Sequence, residues 1–146
     1  MSVDEGQLHS YVDGLCFEVM SSSDNTIRGG LTEKFIDVLE LFNIMKFVHG
    51  SKVCVEPVDM GHEKLYSPGW DEFCFSSVVT GGDPYTSSSR HSLEILFIYS
   101  GTGEIENSSF SLELKSGKAV LVPSAAGSYT ITGSPDLVFY KAAMPL

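Results

Sequence analysis

The stretch that decides the fold is LEILFIYSGTGEIENSSFSLELKSGKAVLVPSAAGSYTITGSPDLVFYKAAM, residues 93–144. It divides into six short apolar segments, each bounded by Gly, Ser, Asn or Pro. The segments read LEILFIYSG, GEIENSS, FSLELKSG, AVLVPSA, SYTITG and DLVFYKAAM. Short strands at regular spacing with turn residues between them are typical of an antiparallel β-sandwich or jelly roll. We therefore predict a mainly β protein of the jelly-roll type.

Two details within this stretch refine the prediction. Lys115-Ser116-Gly117 precedes an apolar run and predicts a tight turn that feeds a buried strand. Pro123 follows the same run and predicts its end, because proline cannot donate a hydrogen bond to a sheet.

The sequence before residue 92 is less regular. SYVDGLCFEVM, residues 10–20, predicts one strand or two short ones, and KVCVEPV and DEFCFSSVV alternate as strands do. MGHEKLYSPGW, broken by Gly and Pro, and GGDPYTSSSR are interpreted as loops. Asp37 has the character of a helix N-cap, and the apolar spacing after it predicts a short amphipathic helix over Val38–Lys46. The fold would thus carry one or two short helices.

Charge and composition narrow the functional classes. The formal net charge is −10, and the nine basic residues form no run. Nucleic acid is therefore an unlikely class of partner, whereas an anionic metabolite would need a pocket that concentrates the few cations. The N-terminus is acidic and lacks an apolar signal-peptide core, and no apolar run is long enough to span a membrane.

The three cysteines, Cys16, Cys54 and Cys74, show no CxxC spacing and are odd in number. This pattern argues against a disulfide framework or a zinc finger. All three lie in apolar runs, so we expect free thiols packed in the core of a protein from a reducing compartment.

The segment SSSDNTIRGGLTEKF, residues 21–35, poses the main functional question. Its Gly pair and its Asp24-Asn25 pair are explained by turn chemistry, since Asx side chains bond their own backbone. Arg28 and Lys34 are not needed for a turn. They are either solvated loop charges or cations that bind an anion.

A resemblance to a known family favours the second alternative. HSYVDGLCFEVMSSSDNTIRGGLTEKFIDV, from His9 to Val38, closely resembles a segment of the type I mannose-6-phosphate isomerases, and the spacing from His9 to Lys34 matches without a gap. EILFIYSGTGEI, LELKSGKAVLVPSAAGSYTITG and LVFYKAAMP resemble the C-terminal cupin domain of that family. The resemblance covers nearly the whole chain. It implies a cupin-type jelly roll over residues 51–146 and an active-site segment over residues 1–50, together in one compact unit.

The resemblance also implies a chemistry. Such enzymes interconvert mannose 6-phosphate and fructose 6-phosphate through a cis-enediol, with a zinc ion held by a Gln and a His of one motif, a Glu, and a later His. By position, His9 resembles that later His and Tyr11 an active-site Tyr. Arg28 resembles an active-site Arg that would stabilise the enediolate charge and contact substrate, and Lys34 a basic residue near the substrate. Asp24 and Asn25 would position the Arg28 loop without contacting the substrate themselves.

The sequence departs from the family pattern at several points. Leu8 and Glu33 stand where the family has Pro, and Gly29 stands where it has Ala. The Glu ligand and the Gln-x-His motif have no counterpart, so we expect no complete zinc site in this chain alone. His91 and Glu94 in HSLEI resemble only part of a cupin metal motif, so we expect a sandwich without metal.

Two functions remain open at this point. The chain is the C-terminal portion of a zinc-dependent mannose-6-phosphate isomerase, incomplete by itself, or it is a non-catalytic cupin module with a vestigial sugar-phosphate site. The resemblance implies a cytoplasmic protein of carbohydrate metabolism, on the route to GDP-mannose, with sugar phosphate as its partner. Apolar residues near the N-terminus would favour self-association.

Overall fold

The computed structural model describes residues 2–22, 26–30, 32–47, 54–67, 69 and 71–146. The chain divides into two compact units, Met1–Val55 and Glu56–Leu146, which are described separately here.

The second unit is built almost entirely from short strands. They are β1 (Val58–Asp59), β2 (Glu63–Tyr66), β3 (Cys74–Val79), β4 (Tyr85–Thr86), β5 (Glu94–Ser100), β6 (Thr102–Glu106), β7 (Ser111–Lys115), β8 (Ala119–Val122), β9 (Thr130–Gly133) and β10 (Val138–Ala143). A single 3₁₀ turn, Ser124–Ala126, follows β8. Each of the six segments predicted from residues 93–144 contains one of the last six strands.

The strands form two antiparallel sheets. One has six strands in the order β1-β2-β3-β10-β5-β8, and the other has four in the order β4-β9-β6-β7. Sequence neighbours such as β5 and β6 lie in different sheets, so the chain crosses repeatedly between the two layers. The predicted mainly β jelly-roll sandwich is confirmed.

A continuous apolar core holds this unit together. Buried and exposed residues alternate along β5, where Leu96 and Ile98 are fully buried, because successive side chains of a strand point to opposite faces. Burial of each large side chain stabilises the fold by about 1.5–3 kcal/mol. The core consists of Val78, Tyr85, Leu96, Ile98, Ile105, Leu114, Val122, Tyr129, Ile131, Leu137 and Phe139.

The predicted turn before β8 is confirmed. The backbone amide of Lys118 donates to the carbonyl oxygen of Lys115 at 3.0 Å, and Gly117 takes a φ of 83°. Only glycine adopts that conformation without steric penalty. The turn aligns β8 with β5, and Val122 is the last residue of β8, as Pro123 predicts.

Two of the predicted loops contain strands. Residues 60–70 include β2, which pairs with β3, and residues 81–90 include β4, which pairs with β9. Both strands are short and lie beside Gly and Pro, so their local sequence carries a turn signal. They are strands because each pairs with a segment that is distant in the sequence, and the local pattern does not show such pairing.

In the first unit, the helix is present and the strand is not. Helix α1 spans Val38–Ile44, and the Asp37 side chain accepts a hydrogen bond from the backbone amide of Glu40, as predicted for an N-cap. The helix ends two residues earlier than expected. Residues 10–20 form no strand, so that prediction was wrong. Val12 is 96% exposed, so the apolar residues of this run do not find a sheet partner that would bury them.

The cysteine prediction holds in part. Cys16, Cys54 and Cys74 are free thiols. However, Cys16 and Cys54 are exposed and only Cys74, in β3, is half-buried, so the expectation that all three pack in the core was wrong. Cys16 lies in residues 10–20 and Cys54 lies just before β1, and the described residues of these two stretches do not form the expected strands.

Candidate functional site

His9 is exposed, and its ring is oriented by a local hydrogen bond. Its Nδ1 lies 3.0 Å from the carbonyl oxygen of Gln7. A carbonyl oxygen can only accept, so Nδ1 carries the hydrogen and a neutral ring would keep its lone pair on Nε2. A backbone carbonyl on one ring nitrogen commonly orients a histidine whose other nitrogen binds a metal.

Tyr11 is exposed and pairs with a carboxylate. The Glu18 side chain hydrogen-bonds to its hydroxyl and raises the pKa of Tyr11 to about 12. The single hydroxyl hydrogen of Tyr11 is thus directed to Glu18, and the phenol oxygen keeps its lone pairs to accept a hydrogen bond.

Arg28 and Lys34 are both solvent-exposed. The backbone amide of Lys34 donates to the Thr32 hydroxyl at 3.2 Å, which shapes the turn before the helix. Asp24 and Asn25, predicted to hold the Arg28 loop, lie outside the described residues.

The segments that carry His9 and Arg28 adjoin each other. A Cβ placed on Gly29 would lie 3.1 Å from Cδ2 of Leu8 and 3.4 Å from a methyl carbon of Leu41, so the backbone beside Arg28 packs closely on the side chain beside His9. The first of these distances is tighter than ordinary van der Waals contact, which is consistent with glycine at position 29.

Lys46, which follows α1, holds the residues before His9 in place. The amide of Lys46 donates to the carbonyl oxygen of Gly6 at 2.9 Å, and its ammonium pairs with Glu5 at 2.5 Å. The segment before His9 is thus tied to the residues that follow α1.

A complete metal site does not form from the described part of the chain. Within it, no three His, Cys, Asp or Glu side chains come together in a group that could hold a metal ion. A catalytic zinc site normally has three protein ligands and an open position. The described residues therefore do not fit a whole zinc centre.

A second polar cluster, which we call the interior cluster, lies inside the sandwich. Its members come from both sheets and the segments next to them: Glu63, Tyr85, His91, Glu94, Tyr129 and Lys141. The sequence singled out only His91 and Glu94. For Glu63 and Lys141, the available signal was a charged residue within a strand, most clearly the lysine in LVFYKAAM.

Lys141 is the centre of the interior cluster. Its ammonium lies 2.7 Å from Glu63 Oε1, 3.7 Å from Glu94 Oε1 and 3.0 Å from the Tyr85 hydroxyl, which in turn donates to Glu63 at 2.8 Å. Burial opposes the charge on Lys141, but Tyr85 and Glu63 outweigh it and raise the pKa of the ammonium.

Glu63 responds in the opposite direction. Burial disfavours its charge, but the hydrogen bonds from Lys141, Ser76 and Tyr85 lower its pKa. The hydroxyl oxygen of Ser76 is buried, and within the described residues it has no partner at full hydrogen-bond geometry. It lowers the pKa of Glu63 because it lies near that carboxylate. Burial raises the pKa of Tyr85 to about 12.

A sandwich of two antiparallel sheets, between which the chain crosses repeatedly, is the architecture of jelly rolls, the class that includes the cupins. A family model described as "Mannose-6-phosphate isomerase, cupin domain" matches residues 64–141. The chain belongs to this family.

Curated relatives carry the same name. The mannose-6-phosphate isomerase of Escherichia coli K12 is 34% identical over 127 residues, which cover 86% of this chain and 32% of the relative. The "probable mannose-6-phosphate isomerase" of Caenorhabditis elegans is 32% identical over 143 residues, covering 94% of this chain and 34% of the relative. The chain therefore spans about a third of the length of these relatives.

Solved structures agree with the family assignment. A point mutant of phosphomannose isomerase from Salmonella typhimurium superposes with a TM-score of 0.74 and 27% identity, covering 86% of this chain and 32% of that one. The same organism's isomerase bound to fructose 6-phosphate and zinc gives a TM-score of 0.70 and 25% identity, covering 82% of this chain and 30% of that one.

Proposed function

We propose that the chain supplies the C-terminal, cupin-bearing portion of a zinc-dependent mannose-6-phosphate isomerase. The enzyme would interconvert mannose 6-phosphate and fructose 6-phosphate. The observation that carries the proposal is the similarity to relatives named as this isomerase over 86–94% of the chain. The gap-free match from His9 to Lys34 supports it, because it covers a segment outside the cupin match.

Within this proposal, His9 contributes one metal ligand and the other ligands come from outside the described residues. The carbonyl of Gln7 supports this role, because it fixes the ring and leaves Nε2 for the metal. When bound, zinc would polarise the oxygens of the substrate.

The other predicted residues would act on the sugar phosphate. Arg28 is proposed to stabilise the enediolate charge, and the oxygen of Tyr11, whose hydrogen is directed to Glu18, to accept a hydrogen bond from a substrate hydroxyl. Lys34, together with Arg28, would bind the phosphate. Asp24 and Asn25 would position the Arg28 loop. The adjoining Leu8 and Gly29 support a shared site for His9 and Arg28.

The proposal is tested in a chimera in which this chain replaces the matching third of the Escherichia coli isomerase. A coupled assay with mannose 6-phosphate should show zinc-dependent turnover, which Arg28→Ala should reduce by about a hundredfold or more. Lys64→Ala, a change of an exposed cation in β2, is the matched control and should leave turnover unchanged. A folded, zinc-loaded chimera without turnover would contradict the proposal.

The second candidate is a non-catalytic cupin module with a vestigial sugar-phosphate site. It is favoured by the lack of a three-ligand metal group among the described residues. The purified chain separates the candidates: weak binding of fructose 6-phosphate, lost in Arg28→Ala, together with an inactive chimera would establish the module.

Self-association is part of the proposal. In the first unit, Val12, Leu15, Phe35, Leu39 and Phe47 are each about 80% exposed or more. Exposed apolar surface of this kind is typical of interaction sites. Sedimentation of the chain across a concentration series should show a mass that rises with concentration, and a constant monomer mass would contradict this part.

We also propose that the protein functions in the cytoplasm, which the three free thiols support. Within the described residues, no helix is long and apolar enough to cross a membrane.

A further inference from the structure

His91 presents an unusual pair of contacts inside the sandwich. Its ring Nδ1 lies 2.8 Å from the carbonyl oxygen of Ser92, and its Nε2 lies 2.8 Å from the carbonyl oxygen of Gly127. The residue is only 9% exposed, so water has little access to either contact. Both partners are acceptors, and a neutral imidazole has a single N–H.

The two contacts therefore require two ring hydrogens, which only the imidazolium form carries. In a neutral ring, one nitrogen lone pair would face a carbonyl lone pair at 2.8 Å in a site with little solvent. An unsatisfied and repulsive contact of this kind is unfavourable in a protein interior.

The charges around the ring balance when His91 is protonated. Glu94 Oε2 lies 3.7 Å from Nδ1, and Lys141 lies between Glu94 and Glu63. Two carboxylates then face two cations, so the interior cluster is electrically neutral. A neutral His91 would leave one buried negative charge uncompensated.

Other titratable groups near the ring do not change this balance. The Tyr129 ring meets His91 edge-on at 5.6 Å, and its hydroxyl donates to Glu94 Oε2 at 2.7 Å. Tyr85 bonds Glu63, and burial raises the pKa of the Cys74 thiol, so all three groups stay neutral near neutral pH.

We propose that His91 is held as a buried imidazolium and that its second proton locks the segment before β5 to the segment that joins β8 to β9. Gly127 follows the 3₁₀ turn between the two sheets, so the contact links the six-stranded sheet to the entry of the four-stranded one. Loss of the proton breaks this link and weakens the interior cluster. The loss of sandwich stability as the pH rises from about 6.5 toward about 8 is thereby assigned to His91.

The direction of the titration agrees with the geometry. Burial disfavours the charged ring, but the carbonyls of Gly127 and Ser92 and the Glu94 carboxylate outweigh it and raise the pKa of His91 above its ordinary value. A raised pKa contributes stability that is complete below the unfolded-state value of about 6.5 and is lost as the pH rises through the folded-state value.

Ring-nitrogen NMR shifts of the four histidines, followed from about pH 5 to about pH 9, test the proposal directly. At about pH 6.5, the ordinary pKa of histidine, His91 should keep both ring hydrogens. A single N–H on His91 at that pH, or a titration midpoint at or below about 6.5, would overturn the proposal. This measurement uses the unmodified chain and needs no variant to fold.

A stability measurement provides the second arm. Between about pH 6.5 and about pH 8, below the range in which an unfolded cysteine ionises, the unfolding constant of the unmodified chain should rise by up to about tenfold for each unit by which the folded pKa of His91 exceeds the unfolded one. His91→Gln should abolish that rise, and the control His62→Gln should retain it. An unchanged rise in His91→Gln would refute the proposal. Neither arm involves His9 or turnover, so the outcome is independent of the proposed isomerase function.

Discussion

At the scale of single residues, the interior of the sandwich depends on Lys141. A lysine in the middle of an apolar strand is costly unless its charge is paired, and here it contacts two carboxylates and a hydroxyl. The strand that carries it, β10, pairs with both β3 and β5, so the residue stands at the centre of the larger sheet.

We predict that Lys141→Met destabilises the protein by about 3–5 kcal/mol, because it leaves the buried Glu63 carboxylate without a cation and takes one of two cations from Glu94. The control is Lys115→Met, which removes an exposed partner of Glu113 and should change the free energy of unfolding by about 1 kcal/mol or less. Denaturant unfolding at neutral pH measures both. Equal effects of the two substitutions would show that the interior ion pairs do not hold the sandwich.

A second prediction at this scale concerns Tyr11. Because the Glu18 carboxylate holds the pKa of the phenol at about 12, Glu18→Gln should lower it toward its ordinary value of about 10. Ultraviolet difference titration of Tyr11→Phe, Glu18→Gln and the unmodified chain isolates this phenol from the other five tyrosines. Glu33→Gln, the control, should leave the titration unchanged. No shift in Glu18→Gln would show that the Tyr11 hydroxyl does not donate to Glu18.

At the scale of elements, the strongest constraint lies at the β5–β6 corner. Gly101 takes a φ of 76°, and a Cβ there would lie 2.6 Å from the Cα of Leu137. Gly117, in the turn before β8, takes a φ of 83° with open space around the missing Cβ. The two glycines thus share a backbone conformation and differ in packing.

This pair gives a matched prediction. Gly117→Ala should cost about 1–2 kcal/mol, the penalty for a left-handed residue with a Cβ. Gly101→Ala should cost clearly more, because the backbone around Leu137 must also move. Denaturant unfolding of both variants measures the difference, and equal losses would mean that the corner tolerates a Cβ.

The predicted and the observed strands differ in ways that have a physical reason. The strands after residue 92 were predictable because each combines alternation with turn residues at both ends. Residues 10–20 alternate as a strand would, but among the described residues they pair with no strand. Strand β4 pairs with β9 although its own sequence hardly predicts a strand. Pairing between distant segments decides these cases.

For the candidate site, His9, Tyr11, Arg28 and Lys34 come from a resemblance over a gap-free segment and stay predictions. The interior cluster was largely missed, because the partners of Lys141 lie 47 to 78 residues away in the sequence, at Glu94 and Glu63. Only the folded sandwich brings them together.

At the scale of the whole molecule, the core belongs to one unit. Among the residues that the structure describes, the eleven buried apolar ones all lie within Glu56–Leu146, and the first unit has exposed apolar residues instead. We predict that residues 56–146, expressed alone, fold with a cooperative unfolding transition and the β-type circular dichroism of the full chain. A fragment without cooperative unfolding would show that the sandwich depends on the first unit.

The central claim, that the chain supplies part of an isomerase active site through His9, is tested most directly by zinc content and turnover measured on the same chimera samples. The account predicts that His9→Ala loses bound zinc and coupled-assay activity together, whereas His62→Ala keeps both. Full zinc content and unchanged turnover in His9→Ala would contradict it.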